Sequence, residues 1–336
     1  MPDRRVVLRP SGRGFACPDD KSVLDAALAA GVALSYGCRT GTCGACRARL
    51  LAGRVDPGPL PPLGLTDEER ATDHVLLCQA RPLADLELEV GELEPGATQP
   101  VKTLPARVAR LERFGHDVMG LWLKLPPVER LPFRAGQYLD VLLPDGRRRS
   151  FSLANPPHDD ALLELHVRLV PGGAFTGQVF APLASNALLR VQGPLGRFWV
   201  RDDARPILML AGGTGFAPLQ AMVEHALAAG DPRPIHLYWG ARASRDLYRE
   251  ARVAEWRRRH PAFRYTPVLS EPEPGWSGRR GWVHEALLED RRADLAAHAV
   301  YLAGPPAMCV AARAAFRAAG LPDDQLHYDS FDYSAR

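Results

Sequence analysis

Residues 36–50 read YGCRTGTCGACRARL and set three of the chain's six cysteines, Cys38, Cys43 and Cys46, in a C-x4-C-x2-C run broken by glycines. A fourth, Cys78, follows in VLLCQA. This is a spacing by which four thiolates hold a two-iron two-sulfur cluster. Gly37, Gly41 and Gly44 suit a loop wrapped tightly round such a cluster, because backbone without Cβ reaches unusual dihedrals and lets its amides point at sulfur. Zinc is the competing metal, but structural zinc sites draw on two close ligand pairs, and only Cys43 and Cys46 form one. A disulfide framework belongs to short secreted chains, and this chain has 336 residues. The four cysteines are read as cluster ligands.

Composition bounds the class. At about 100 to 200 residues per domain, the length predicts two or three domains, each with its own core. A net charge of +3 argues for neither nucleic acid nor a membrane surface as a partner. The opening MPDRRVVLRP lacks the apolar core of a signal sequence. No run reaches the ~18 apolar residues of a membrane span, so the expected location is cytoplasmic.

The texture changes twice along the chain. Residues 1–92 open with strand-like RRVVLRP and continue into KSVLDAALAAG, where Ser22 and Asp25 read as a capping box and Gly31 as a helix stop. The cysteine loop and the alternating LELEV follow. Pro95, Gly96, Pro100 and Pro105 mark a linker. Residues 103–202 give short strand candidates between turn signals (GLWLKL, QYLDVLL, RRSFSLA, LLELHVRLV, LLRVQG), a density that predicts an antiparallel barrel. Residues 203–336 alternate strand, glycine loop and helix, the pattern of an α/β layer on a parallel sheet. The fold class is multi-domain, α+β and α/β.

The third region holds a loop suited to phosphate. In PILMLAGGTGFAPLQAMVEHAL a strand over Ile207–Leu210 turns through Gly212, Gly213, Thr214 and Gly215 into a helix starting near Pro218. Glycines there let main-chain amides approach a diphosphate at a positive helix N-terminus. The loop is not a G-x-G-x-x-G fingerprint, and a tight turn without ligand is the plain alternative. VYLAGPPAMCVAARAAF repeats the arrangement, with Gly304, Pro305 and Pro306 at the carboxyl end of another strand, where ligands collect in open α/β sheets. In the middle region RRRSFSLANPP sets Arg149 and Phe151 on one side of a strand. They offer a guanidinium for a phosphate and an aromatic ring for a planar ligand. HVRLVPGGAFTGQVF adds Gly172, Gly173 and Thr176 near the start of a short helix. The plain reading makes Arg149 a solvated arginine and His166 a satisfied strand histidine.

Over nearly the whole chain these segments resemble the reductases of bacterial multicomponent oxygenases, the ferredoxin-NADP reductase superfamily form with an N-terminal plant-type ferredoxin domain. YGCRTGTCGAC with Cys78 is similar to the ferredoxin motif, RSFSLAN to the Arg-x-Tyr/Phe-Ser flavin motif, AGGTGFAP and AGPPAM to the nicotinamide-domain motifs, and HYDSF to the aromatic tail. The resemblance implies a β-grasp ferredoxin domain, an antiparallel flavin-binding β-barrel and a Rossmann-like nicotinamide-binding domain with a parallel sheet. It implies a 2Fe-2S cluster, FAD, and NADH or NADPH as cofactors. Arg149 would then bind the FAD diphosphate and Phe151 pack on the flavin. Ser152, with Ser150 beside it, would lie at the flavin's reactive edge, and His166, Val167, Gly173 and Thr176 along its ribityl and diphosphate chain. Gly212, Gly213, Thr214, Gly215, Pro218, Gly240, Arg242, Gly304, Pro305, Pro306 and Met308 would serve the nicotinamide nucleotide. Phe331 would cover the flavin face, which puts Ser152 and Phe331 at the reacting atoms.

The implied activity passes electrons from NAD(P)H through FAD to the cluster and on to a separate terminal oxygenase component. RSFSLANPP with YWGARASRDLY is most similar to reductases of Rieske aromatic-ring dioxygenases and of CDP-6-deoxyhexose synthesis. A Rieske-type acceptor is the reading. A diiron monooxygenase and the pyridoxamine-dependent dehydrase of CDP-deoxysugar synthesis are alternatives, and a non-catalytic iron–sulfur carrier is the reading of another class. The cofactors carry the chemistry, so no catalytic acid or base is called for. In two places the chain departs from many relatives: Ala303 stands where they have cysteine, and Cys17 and Cys309 read as small packing residues. Arg242, Arg245 and Arg249, with Asp246 among them, follow the strand IHLYWG where the adenosine ribose belongs. Those arginines lean to NADPH, while family habit leans to NADH. Arg39, Arg47 and Arg49 are the expected contact for an acidic partner, against a plain reading as solvated arginines. EWRRRHP reads as an exposed helix face.

Overall fold

The computed structural model describes residues 3–42, 44–58, 62–91, 100–181 and 186–331, so Cys43 and the linker residues Pro95 and Gly96 lie outside the described residues. The chain divides into two compact units, residues 1–99 and 100–336. In the first, β1 (Arg4–Arg9) and β2 (Gly14–Cys17) form a hairpin followed by α1 (Val23–Ala29). Next come β3 (Arg47–Ala52), β4 (Val55–Asp56), α2 (Asp67–Ala71), β5 (His74–Leu76), β6 (Arg81–Pro82) and β7 (Leu86–Glu89). The sheet runs β2-β1-β7-β3-β5, with β1 and β7 parallel, which is the β-grasp. Val6, Leu8 and Leu88 of the sheet and Leu24 of α1 are fully buried. Ser22 caps α1, its hydroxyl accepting the Asp25 N–H at 3.1 Å, while the Asp25 carboxylate turns to Arg39 in the cysteine loop.

The second unit opens with β8 (Lys102–Arg113), β9 (Val118–Lys124), β10 (Tyr138–Leu142), β11 (Arg148–Ser152), β12 (Leu163–Arg168), α3 (Ala174–Phe180) and β13 (Leu188–Leu195). The strands run β11-β10-β13-β8-β9-β12, and a bridge between Leu153 and Leu165 joins the two ends into a barrel. Leu121, Leu139, Leu165 and Val191 fill it. Pro105, expected in a linker, lies inside β8. It pairs only with Arg190 of β13, and β9 joins β8 from Arg107 onward. The strand is one-sided there, a position where sheets tolerate a proline.

The rest of the unit alternates strand and helix, with one short extra strand: β14 (Ile207–Gly212), a 3-10 turn (Gly213–Gly215), α4 (Phe216–Ala228), β15 (Ile235–Ala241), α5 (Glu250–Arg259), β16 (Phe263–Leu269), β17 (Arg279–Arg280), α6 (Val283–Arg291), β18 (Ala299–Gly304), α7 (Pro306–Ala318) and β19 (Leu326–Ser330). The parallel sheet runs β17-β16-β15-β14-β18-β19. Helices cover both faces. Trp239 packs with Phe216 and Trp256 on one side, and its neighbour Tyr238 faces Leu302 and Phe316 on the other. The helix expected from Pro218 begins at Phe216, since proline is accommodated in a first turn whose N–H groups have no intrahelical partner. Strand order reverses between β14 and β18, so the crevice where α/β sheets bind ligands lies at the ends of these two strands. Among the described residues, no helix is long and apolar enough to cross a membrane.

Candidate functional site

Cys38, Cys46 and Cys78 are buried. Thr40 and Thr42 each donate a main-chain N–H to Cys38 Sγ at 3.4 Å, and Gly41 donates to Cys78. The Cys78 thiol is pushed far up by its hydrogen bond with Cys46, then by burial and the nearby Cys46 and Cys38 sulfurs. Sulfurs crowd one spot. The loop aims successive amides inward by left-handed backbone at Arg39 (φ 60°), Gly41 (81°) and Gly44 (67°). Gly64 closes it from outside, donating to Gly41 O at 2.9 Å. Crowded thiols that repel as anions, with N–H donors already on their sulfurs, fit an iron–sulfur cluster. Cys17 and Cys309 stand apart. Burial, then Asp3, Asp20 and Asp25, push Cys17 up to about 11, and Cys309 donates to Gly304 O at 3.5 Å. The arginines expected to greet an acidic partner are occupied within the unit: Arg39 with Asp25, Arg47 with Glu69 at 2.9 Å and Arg49 with Glu89 at 3.7 Å.

On the barrel, β11 is an edge strand beside β10. Ser150 Oγ donates to Asp140 across the pair at 2.6 Å. Arg149 lies half-buried along the strand, with NH1 on Arg148 O at 2.8 Å. Phe151 packs on Phe175 of α3, ring centres 5.5 Å apart. Ser152 is buried, and among the described residues its hydroxyl has no hydrogen-bond partner. A buried hydroxyl left orphaned is costly unless a ligand completes it, so the end of β11 fits a polar ring edge such as a flavin's. Thr176 Oγ1 bonds the main chain of Val170 at 3.2 and 3.3 Å, pinning the turn through Gly172 and Gly173. The Val167 side chain lies in the barrel core, and the His166 ring is buried with both nitrogens engaged by protein. What these two offer a cofactor is main chain.

At the strand-order reversal the two glycine loops meet backbone to backbone. A Cβ on Gly215 would overlap the Ala303 carbonyl and lie 2.9 Å from Gly304 N; one on Gly212 would meet Met308 and, at 2.9 Å, Pro305. Gly213 takes φ 54°, and its carbonyl accepts Trp239 Nε1–H at 3.0 Å. Gly240 carries α6, a Cβ there meeting Val283 at 2.8 Å. Pro218 sits buried in the first turn of α4, and Pro306 begins α7. Phe331, past the end of β19, donates its N–H to Gly304 O at 3.0 Å, tying the aromatic tail to the second glycine loop. Close main-chain approach at a strand-order reversal fits a dinucleotide.

The basic loop after β15 differs from its sequence reading. Arg242 and Arg245 are exposed. Arg249 turns inward, over the Phe114 ring at 4.4 Å and beside Glu164 at 3.5 Å. Asp246 is buried and accepts the Ala243 N–H at 3.1 Å. The carboxylate presented here is Glu273, which accepts from Ser244 N at 3.2 Å and from Ser244 Oγ at 3.0 Å. Sequence reading missed Glu273 because it follows a different strand.

It also missed a polar group on β12. Glu164 and His166 are buried, with His166 Nε2 on Glu164 Oε1 at 3.0 Å. Burial holds the His166 pKa down against the pull of Glu164, and His166 Nδ1 lies 2.9 Å from the Tyr248 hydroxyl. Burial works to raise Glu164, but the His166 hydrogen bond and Arg249 hold it low and ionised. The available signal was the strict alternation of LELHVR.

Three family models match in chain order: a 2Fe-2S iron-sulfur cluster binding domain over residues 6–83, an oxidoreductase FAD-binding domain over 105–199 and an oxidoreductase NAD-binding domain over 209–314. The chain is 40% identical to the CDP-6-deoxy-L-threo-D-glycero-4-hexulose-3-dehydrase reductase of Yersinia pestis, across 97% of this chain and 98% of that one. It is also 40% identical to the aromatic O-demethylase reductase subunit of an Amycolatopsis strain, across 95% and 96%. The crystal structure of the Amycolatopsis cytochrome P450 reductase GcoB superposes with a TM-score of 0.82 at 38% identity, covering 99% of this chain and all of that one.

Proposed function

The chain belongs to the ferredoxin-NADP reductase superfamily, in the iron–sulfur flavoprotein form that serves oxygenases and CDP-deoxysugar dehydration, and we propose that it takes electrons from NADH and delivers them to the terminal component of an aromatic-ring-hydroxylating oxygenase of the Rieske type. The protein is an NAD(P)H-dependent oxidoreductase with 2Fe-2S, FAD-binding and NAD-binding domains. Bound FAD supplies the conversion of a two-electron hydride donor into single-electron delivery, and the bound cluster supplies the exit. The chain's own residues place them. Cys38, Cys43, Cys46 and Cys78 hold the cluster. Arg149, Ser150, Phe151 and Ser152 line the flavin, with Gly173 and Thr176 shaping the turn beside it. The glycine loops, Pro305 and Met308 cradle the nucleotide, and Phe331 closes over the flavin. The division at residues 1–92, 103–202 and 203–336 follows these three tasks.

The observation that carries this reading is the meeting of two glycine loops at the strand-order reversal, in the same compact unit as the orphan Ser152 hydroxyl. NADH as donor is supported by Arg249, which is withdrawn from the ribose end, and by Glu273, which sets a carboxylate there. Delivery to a Rieske centre runs downhill, from about −400 mV for plant-type clusters to roughly −150 mV or above. The dehydrase of CDP-deoxysugar synthesis is the second reading, favoured by the Yersinia relative.

The holoprotein, titrated anaerobically with NADH, is expected to bleach its flavin and cluster bands. Absence of bleaching refutes the electron-transfer reading. Capture of the acceptor on tagged protein, followed by its optical and EPR spectra, decides the partner. A Rieske-type signal supports the oxygenase, and a pyridoxamine chromophore moves the assignment to the dehydrase.

A further inference from the structure

The alternation in β12 serves two cores at once. Leu163, Leu165 and Val167 fill the barrel, while Glu164, His166 and Arg168 occupy the opposite face and reach the nucleotide-binding lobe. Glu164 Oε1 meets Gln220 Nε2 of α4 at 3.5 Å and Arg249 NH2 at 3.5 Å. Through His166 it also reaches Tyr248. Arg168, paired with Asp117 at 3.1 Å, lays its guanidinium against the turn after β14: a Cβ on Gly213 would lie 2.8 Å from its NH1. The same stretch is bonded to the segment that runs on from Ser152. Ala154 donates its N–H to Glu164 O at 2.8 Å, and Gln220 Nε2 donates to Ala154 O at 3.1 Å.

We propose that Glu164 is a positioning residue for reduction of the flavin by the nucleotide: its carboxylate grips α4 and the Tyr248–Arg249 segment, and so fixes where the Gly213–Gly215 turn stands relative to Ser152. This rests on the NAD(P)H and FAD reading above. A buried carboxylate is kept only with partners, and removing it leaves its partners unpaired in the seam. Near-attack geometry is steep, and a displacement of about 1 Å costs on the order of 100-fold in rate.

The test is anaerobic stopped-flow reduction of the FAD-loaded holoprotein by NADH, comparing wild type with Glu164→Ala, Glu164→Gln and Tyr248→Phe. Failure of the wild type to bleach counts against the function itself. With a competent wild type, Glu164→Ala lowers the limiting rate about 10- to 100-fold. It also weakens the long-wavelength charge-transfer absorbance of nicotinamide stacked on flavin. FAD content and NADH half-saturation stay within about threefold. Glu164→Gln, which keeps an acceptor for His166 and Arg249, recovers most of the rate, and Tyr248→Phe falls several-fold. Wild-type limiting rates in Glu164→Ala, or a change confined to half-saturation, overturn the proposal. Should Glu164→Ala fail to fold, Tyr248→Phe decides alone: a wild-type rate and charge-transfer band overturn it.

Discussion

Replacing Gly215 by alanine puts one methyl group where the structure has no room. The new Cβ overlaps the Ala303 carbonyl and lies 2.9 Å from the Gly304 nitrogen, whereas carbon atoms rest in contact at about 3.5 to 4.0 Å. Neither obstacle is a side chain that can swing away. Ala303 is paired to Ala211 in the ladder between β14 and β18, and Gly304 is held by Phe331. The turn must therefore move by roughly 1 Å, and overpacking of this kind costs about 1 to 3 kcal/mol. For a unit of this size the melting temperature should fall by about 3 to 10 °C. The same shift moves the nucleotide loop off its position and should slow flavin reduction at saturating NADH by on the order of 100-fold. Gly213→Ala is the internal comparison. Its Cβ meets the end of the flexible Arg168 side chain at 2.8 Å, so it should cost less, mainly through its left-handed φ of 54°. Thermal unfolding and stopped-flow reduction measure both effects. A Gly215→Ala protein that melts and reduces like the wild type would refute the claim that the two glycine loops are locked together.

Ser152→Ala removes a buried hydroxyl that has no partner among the described residues, so FAD-free protein should keep its stability to within about 1 kcal/mol, while flavin reduction in the loaded protein falls about tenfold. A large stability loss without FAD would show that the hydroxyl serves the fold instead. Glu273→Gln removes the carboxylate beside Ser244 and should raise kcat/KM for NADPH several-fold, since an exposed charge pair is worth about 1 kcal/mol. Unchanged discrimination would place the ribose elsewhere. His236 and His327 are each held down to about 4, chiefly by burial. The unfolded chain takes protons near about 6.5 that the fold refuses, so stability should fall as pH drops from 6.5 toward 4. Melting temperatures across that window should flatten in the double glutamine variant, and an unaltered slope would assign the loss to other groups.

The motifs that we assign to cofactors are legible because each encodes its proposed chemistry locally. Cys38 and Cys46 stand within one loop, Arg149 to Ser152 within one strand and Gly212 to Gly215 within one turn. What was not legible depends on partners far along the chain. Arg249 reads from sequence as a phosphate ligand, and only Glu164 on a barrel strand shows that it turns inward. Arg47 and Arg49 read as solvated arginines or a contact for an acidic partner, and only the fold shows that Glu69 and Glu89 stand opposite them. Pro105 reads as a linker because nothing local reveals that β9 has not yet joined β8 there. His166 was placed on the right strand, but its role depends on which of two cores it faces, and period-two alternation cannot say what lies beyond the polar face.

Two kinds of contact join the barrel to the nucleotide lobe, and they do different work. Ala135 and Phe198 join the apolar core under α4, a contact that holds the lobes together but is non-directional and specifies no single alignment. Glu164 and His166 supply hydrogen bonds and an ion pair to Gln220, Tyr248 and Arg249, which are satisfied at one alignment and broken at others. Stability and alignment are therefore separable. Truncating Phe198 should loosen the lobes with a loss mainly in melting temperature. Truncating Glu164 should leave most of the apolar contact and misplace the turn. A reductase must bring a nucleotide ring and a flavin to a fixed separation on every turnover, and a polar grip on the strand beside the flavin segment sets that separation where it matters.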